Sequence, residues 1–247
     1  MTYEIISTGS KGNAVVLDGV ILVDCGVSWK KLKPYAQKLR LVLLTHVHGD
    51  HFKPATVRAL HRERPGLRWC CCPWMVEPLL EAGVSKRVID VVEPGMFNSY
   101  PGFCDVHPIA TPHNVPNCAW WINWPPSSGE MTIFYATDCA NLDGVEATGC
   151  DWYFIEANHK EAELEARLEA KLEAGEFAYE AAARENHMSE EQAMAWLREN
   201  MGPNSRYVLL HQHEDKATGN REQAAGDKES SGRQVAALTE SEASNDG

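Results

Sequence analysis

The sequence predicts a mixed α/β (α+β) domain in which two packed β-sheets are covered by helices. Short runs rich in Ile, Val and Leu recur through the first two thirds of the chain. Two helical patterns follow, and an αβ unit closes near residue 210. A 44% hydrophobic share of 247 residues is enough to build a substantial core. Strands first and αβ units later is the pattern of stacked layers within one domain, expected to span residues 1–213. No internal repeat is visible.

Residues 3–7 and 14–24 read as strands, with Gly9-Ser10-Lys11-Gly12-Asn13 as the turn between them and Asp18-Gly19 as a second hairpin turn. The run 20–23 ends in Asp24-Cys25-Gly26. A short helix is expected over 28–38, made irregular by Pro34, and a strand over 40–44. Pro54 suits the first turn of a helix to about Arg64, closed by Pro65-Gly66. A strand at 67–72 and a helix at 74–82, stopped by Gly83, come next. Further strands are read at 88–92, 103–109, 118–124, 131–136 and 152–157, with 125–129 as a wide hairpin tip. Residues 161–174 form a charged helix, where Leu164, Leu168 and Leu172 make a narrow apolar stripe. That stripe suits packing against the domain or a second copy in a homodimer. Ser189-Glu190-Glu191-Gln192 is a capping box for a helix stopped by Gly202-Pro203. A last strand, 207–210, ends in His211-Gln212-His213. Residues 214–247 hold little to bury and are expected to form a disordered polar tail.

The stretch Thr45-His46-Val47-His48-Gly49-Asp50-His51 follows the apolar run 39–44 directly. A buried strand cannot hold so many polar side chains, so they must emerge where it ends. His46 and His48 alternate onto one side of an extended segment, and Asp50 and His51 can curl back past Gly49. Imidazoles with a carboxylate suit zinc, manganese or iron, so the stretch reads as a metal site. Other strand ends offer further ligands: His113 after 109–112, Asp138 after 134–137, His159 after 152–157 and His211 after 207–210.

The net charge of −12 looks hostile to nucleic acid, but its distribution is uneven. Residues 156–199 carry 12 acidic and 5 basic residues, and 214–247 carry 8 and 4. Residues 30–68 instead hold ten Lys/Arg against only Asp50 and Glu63, and the histidine motif lies inside that basic stretch. Met1-Thr2-Tyr3-Glu4-Ile5 does not begin a secretory signal, and no run approaches the ~20 apolar residues of a membrane span. A cytoplasmic protein without a membrane partner is expected. Its eight cysteines then read as reduced thiols, and Cys70-Cys71-Cys72 as a small-residue strand.

His46-x-His48-x-Asp50-His51, followed in order by His113, Asp138 and His211, resembles the metallo-β-lactamase fold superfamily of binuclear metallohydrolases. Gly9-Ser10-Lys11-Gly12-Asn13-Ala14, Val23-Asp24-Cys25-Gly26 and Glu156-Ala157-Asn158-His159 look like its branch of WalJ/YycJ-type proteins and the phosphodiesterase of the carbon–phosphorus lyase operon. The resemblance covers about residues 3–213 and implies a four-layer αββα sandwich with two divalent ions, Zn or Mn, with Fe also suited. It puts His46, His48 and His113 on the first metal, Asp50, His51 and His211 on the second, and Asp138 between them. His213 rivals His211 for the last place. His187, in Asn186-His187-Met188-Ser189, matches a catalytic histidine, and Asp50 counts with it as catalytic. Asn114 departs from the Asp that relatives often carry after the third metal histidine.

Two such ions can share a hydroxide, lower its pKa and clamp a scissile phosphate. Ser189 caps the helix after His187, and the N–H groups of that helix would draw an anion beside the imidazole. Asp24 is expected to orient the metal loop. His61 and His107 read as structural, and Lys11 is weak evidence for a phosphate contact because its turn lacks P-loop spacing. The expected function is a metal-dependent phosphodiesterase acting on nucleic acid or a small phosphodiester. The alternatives are a hydrolase of a thioester, lactone or β-lactam-like substrate, and a metal-stabilised binding protein.

Overall fold

The computed structural model describes residues 1–125, 130–175 and 180–211. The wide tip at 126–129, His213 and the 214–247 tail lie outside the described residues. The chain builds two six-stranded sheets, one half after the other. The first holds β1 (Tyr3–Ser7), β2 (Ala14–Leu17), β3 (Ile21–Val23), β4 (Leu41–Leu44), β5 (Arg68–Cys71) and β6 (Ile89–Val91), paired in chain order. The second holds β7 (Asn98–Tyr100), β8 (Cys104–Thr111), β9 (Asn117–Trp124), β10 (Met131–Ala136), β11 (Trp152–Glu156) and β12 (Arg206–Leu210), also paired in chain order.

Side-chain alternation along these strands produces the layers. In β4, Leu41 and Leu43 join the core that also takes Trp120 of β9, Tyr135 of β10 and Phe154 of β11, so this core lies between the sheets. Val42 and Leu44 face a second core with Val57 and Leu60 of α2 (Pro54–Glu63) and Leu79 of α3 (Val76–Glu81). Phe134, Tyr153 and Ile155 face a third, with Ala193 and Leu197 of α6 (Glu190–Asn200). Strands buried on both faces read as unbroken apolar runs, which is why β4 is LVLL. Helices, sheet, sheet, helices is the four-layer αββα order.

Three elements depart from expectation. The helix expected over 28–38 is one turn only, α1 (Trp29–Leu32), because Pro34 cannot continue an α-helical hydrogen-bond ladder. Strand β7 was not expected, since Asn98-Ser99-Tyr100 has no apolar alternation and is held only by pairing along β8. The charged segment forms α4 (Glu161–Glu173) and α5 (Glu180–Asn186), whose Leu stripe runs outward from buried Leu164 to exposed Leu172. The capping box forms as expected: Gln192 N–H donates to Ser189 Oγ, and Ser189 N–H donates to Gln192 Oε1.

The pairing also fixes where polar residues gather. β3, β4, β5 and β6 are parallel, as are β10, β11 and β12, and β8 runs with β10 because both are antiparallel to β9. The carboxyl ends of β3, β4, β8, β10, β11 and β12 therefore share one rim of the sandwich, the usual place for a ligand site in α/β sheets.

Candidate metal centre

The first sheet delivers a loop pinned from three sides. Thr45, just beyond β4, donates its N–H and its hydroxyl to Asp24 Oδ1 at 2.9 and 3.0 Å. The other Asp24 oxygen accepts from His51 Nδ1 at 2.7 Å. Inside the loop, His51 and Phe52 donate their N–H groups to His48 O at 2.9 and 2.7 Å. Asn13 N–H reaches Asp50 O at 2.6 Å from the first turn of the chain. Gly26 makes the crowding possible, since a Cβ there would lie 1.6 Å from Asp50 O.

The second sheet meets this loop with His113, Asp138, Glu156 and His211. Three of the strand-end residues, Asp24, Asp138 and His211, hold left-handed backbone with φ of 60°, 51° and 57°. L-residues take that region at a cost, and such strain clusters at functional sites.

Two groups of donors converge on the metal loop. His46 Nε2 and His113 Nε2 lie 3.1 and 3.2 Å from His48 Nδ1, and His46 Nε2 lies 3.8 Å from Asp138 Oδ2. Thr45 Oγ1 at His46 Nδ1 and Asn186 O at His113 Nδ1 engage the far ring nitrogens, so the converging Nε2 atoms are lone pairs. Imidazole nitrogens sharing a tetrahedral zinc at ~2.0–2.1 Å lie about 3.3 Å apart, so this group fits a metal ion. Burial keeps His46 and His113 below the usual imidazole range, which suits neutral ligands.

The other group is Asp50, His51 and Asp138. His51 Nε2 lies 3.1 Å from Asp138 Oδ1 and 3.8 Å from Asp50 Oδ2. Burial disfavours a proton on His51, but Asp138 and Asp24 outweigh it and hold the imidazole well above its ordinary range. Asn13 competes for the same nitrogen. Gly9 N–H fixes Asn13 Oδ1 at 2.8 Å, which turns Asn13 Nδ2 to 2.7 Å from His51 Nε2, onto the lone pair a second cation would use.

Asp138 carries both groups. Burial alone would raise its pKa, yet His51 and His211 hold it well below the usual carboxylate range. His211 Nδ1 is 3.1 Å from Asp138 Oδ1 and equally 3.1 Å from Glu156 Oε1. Against burial, those two carboxylates push His211 up to about 10. His211 is thus brought to Asp138 in a third donor group, with Glu156 and His187, and not beside Asp50.

Glu156 is the residue missed from sequence. It is fully buried at the end of β11, accepts Cys139 N–H at 2.7 Å, and takes His187 Nδ1 at 2.5 Å. The signal was present: a carboxylate closing an apolar strand, as at Asp24 and Asp138. His187 leaves its Nε2 without a protein partner among the described residues. Two of the first amides of α6, those of Glu190 and Gln192, are taken by His159 O and Ser189 Oγ, which narrows the expected anion site there. His159 is buried and pairs with Ser189 through backbone, outside either donor group. His61 accepts Ser85 N–H, consistent with a structural role, while Lys11 and Asn114 are exposed.

An imidazole–carboxylate cluster on the rim of an αββα sandwich defines a metallohydrolase-type centre. The chain belongs to the β-lactamase superfamily: residues 20–212 match the family model described as "Beta-lactamase superfamily domain". It is a metallo-β-lactamase-fold hydrolase with a cluster able to bind metal. Among solved structures it is similar to the metallo-β-lactamase fold protein YhfI from Bacillus subtilis, at 18% identity and TM-score 0.62 over 85% of each chain. Human tRNase Z, short form, gives 18% identity and TM-score 0.62 over 86% of this chain and 93% of that one. A diphosphatase from the PhnP family gives 13% and 0.55 over 85% and 86%. A search of curated protein sequences gives no match. No helix among the described residues is long and apolar enough to cross a membrane.

Proposed function

We propose that this protein is a metal-dependent phosphodiesterase, with nucleic acid as the favoured substrate. The observation that carries the reading is the His187–Glu156 pair standing beside the donor cluster. His113 and His187 have ring centroids 5.4 Å apart, and His187 and His211 4.9 Å. Two structural neighbours, a tRNase and a diphosphatase, support phosphate chemistry. His46, His48, His113 and Asp138 would hold one divalent ion, Zn or Mn, and Asp50, His51 and Asp138 a second, with His211 completing the set. Such ions lower the pKa of a bound water and offset the charge of a phosphate.

The remaining work falls to this chain's own side chains. Glu156 anchors His187 through Nδ1 and so fixes the ring and its tautomer. The opposite nitrogen, Nε2, can then carry a proton to the oxygen that leaves phosphorus. Attack by water forms one P–O bond as another breaks; the departing oxygen takes the His187 proton, and the attacking water gives up its own to solvent, from which His187 is recharged. Asp24 and Thr45 hold the loop still.

The test is turnover of bis(p-nitrophenyl) phosphate and of single- and double-stranded oligonucleotides by Mn- or Zn-loaded protein, beside thioester and lactone substrates. Cleavage of the phosphodiesters is expected. Metal-loaded protein that leaves every phosphodiester intact and turns over a thioester or lactone would overturn the reading.

A further inference from the structure

The structure divides its charge between its two outer layers. Around the first sheet, α1, α2 and the turns beside them expose Lys30, Lys31, Lys33, Lys38, Lys53 and Arg62. None of the six forms an ion pair among the described residues. The other basic residues of this stretch are committed: Arg64 donates to Ala36 O and Gln37 O, Arg68 pairs with Asp90, Arg58 donates to Ala82 O, and Arg40 lies over Phe103. Around the second sheet, α4 exposes Glu163, Glu165, Glu169 and Glu173. The metal loop lies at the seam between these layers.

The free cations begin at that loop. Lys53, which precedes α2, is two residues beyond His51, and its N–H donates to Cys25 O at 3.0 Å. Thr56 Oγ1 donates to Val27 O at 2.7 Å, which ties the first turn of α2 to the approach of α1, where Lys30 and Lys31 stand. From there α2 runs away from the rim for 10 residues, about 15 Å, to Arg62.

We infer that the outer face of α1 and α2 is a track for a single nucleic-acid strand, which leads its phosphates into the metal centre from the first-sheet side only. The inference rests on the phosphodiesterase reading and adds where the strand lies. A polyanion crossing onto α4 would meet exposed glutamates with no compensating contact, so it is held on one side of the scissile bond. Unpaired lysines gain most from a phosphate because no carboxylate has to be displaced. Counterion release then makes binding steeply salt-dependent.

The experiment measures binding of a fluorescein-labelled 20-nucleotide DNA single strand to the full-length metal-loaded chain. Anisotropy is read within the first second after mixing, from 50 to 200 mM salt. Lys30→Glu with Lys31→Glu is compared with Lys86→Glu with Arg87→Glu, an equal charge reversal at exposed residues that follow α3 in the chain. The α1 pair is expected to weaken binding at least tenfold and to reduce the slope of log K against log salt by about 1.4, at ~0.7 per lost phosphate contact. The control pair should change affinity less than threefold, and both should turn over bis(p-nitrophenyl) phosphate within twofold of wild type. Equal losses in the two pairs, no loss in either, or no strand binding by wild type at 50 mM salt would overturn the track. Wild type that binds the strand yet leaves bis(p-nitrophenyl) phosphate uncleaved would instead count against the phosphodiesterase reading and leave the track standing as a binding surface.

Discussion

Glu156 Oε1 is shared by two imidazoles: it accepts from His187 Nδ1 at 2.5 Å and stands 3.1 Å from His211 Nδ1. One buried oxygen therefore links the proposed proton donor to the metal cluster.

Replacing His187 with Ala should lower kcat on a phosphodiester by about 10²–10⁴-fold, the usual worth of a positioned acid, with metal content unchanged. Glu156→Gln keeps the shape but loses the charge, and should lower kcat less while shifting the pH profile. Steady-state kinetics with metal analysis by mass spectrometry distinguishes the two. A His187→Ala protein that keeps full activity would remove the proton-transfer role.

Asp138 touches His51 and His211 at 3.1 Å and comes within 3.8 Å of His46. Asp138→Asn should therefore cost the protein its metal and its activity together. Chelation of wild type should lower the melting temperature, since a ligand at 100–1,000 times its Kd stabilises by about 2.7–4.1 kcal/mol. Asp138→Asn should show no further shift on chelation in differential scanning fluorimetry.

Metal uptake should release protons. In the metal-free fold His211 is pushed up to about 10 by Asp138 and Glu156, against its burial. Its proton is thus held at pH 7 and leaves when a cation takes its place. Affinity should consequently fall as pH drops from 8 to 6. Titration calorimetry in buffers of different ionisation enthalpy reads the proton count directly, and zero release would contradict the arrangement.

Gly26 and Gly49 make a matched pair of alanine substitutions. A Cβ at Gly26 falls 1.6 Å from Asp50 O, whereas one at Gly49 meets nothing within 4 Å. Gly26→Ala should destabilise by about 1–3 kcal/mol or more, as overpacking does, and weaken metal binding. Gly49→Ala should stay within about 0.5 kcal/mol. Urea denaturation midpoints provide the comparison.

All eight cysteines are buried and free. Burial pushes the thiols of Cys71 and Cys104 up to about 12, so at pH 8 they stay protonated and unreactive. A chromogenic disulfide reagent should titrate none in the native protein and eight in denaturant.

Much of this was legible in sequence because burial on two faces leaves a simple mark. Runs such as Leu41–Leu44 and Trp152–Glu156 could only be strands, and polar residues closing them had to reach a rim. What was hidden depended on pairing or on backbone. β7 exists because β8 offers a ladder, and the carbonyl of Asn186 at His113 Nδ1 leaves no trace in residue type. Asn13 looked like a turn residue, and its 2.7 Å approach to His51 comes from a fold that returns the first turn to the metal loop. The anion site expected at α6 is narrowed for a local reason: the capping box and the His159 carbonyl use the amides of Gln192 and Glu190.

Among the described residues the chain passes between its sheets once, between Val91 of β6 and Asn98 of β7. His46, His48, Asp50 and His51 lie before that crossing, and His113, Asp138, Glu156, His187 and His211 after it. The groups His46, His48, His113, Asp138 and Asp50, His51, Asp138 each draw on both halves, whereas Asp138, Glu156, His187 and His211 all lie in the second. Cut at the crossing, the two fragments would rebuild the two shared donor groups only on docking through their common face, which makes this fold a natural split reporter.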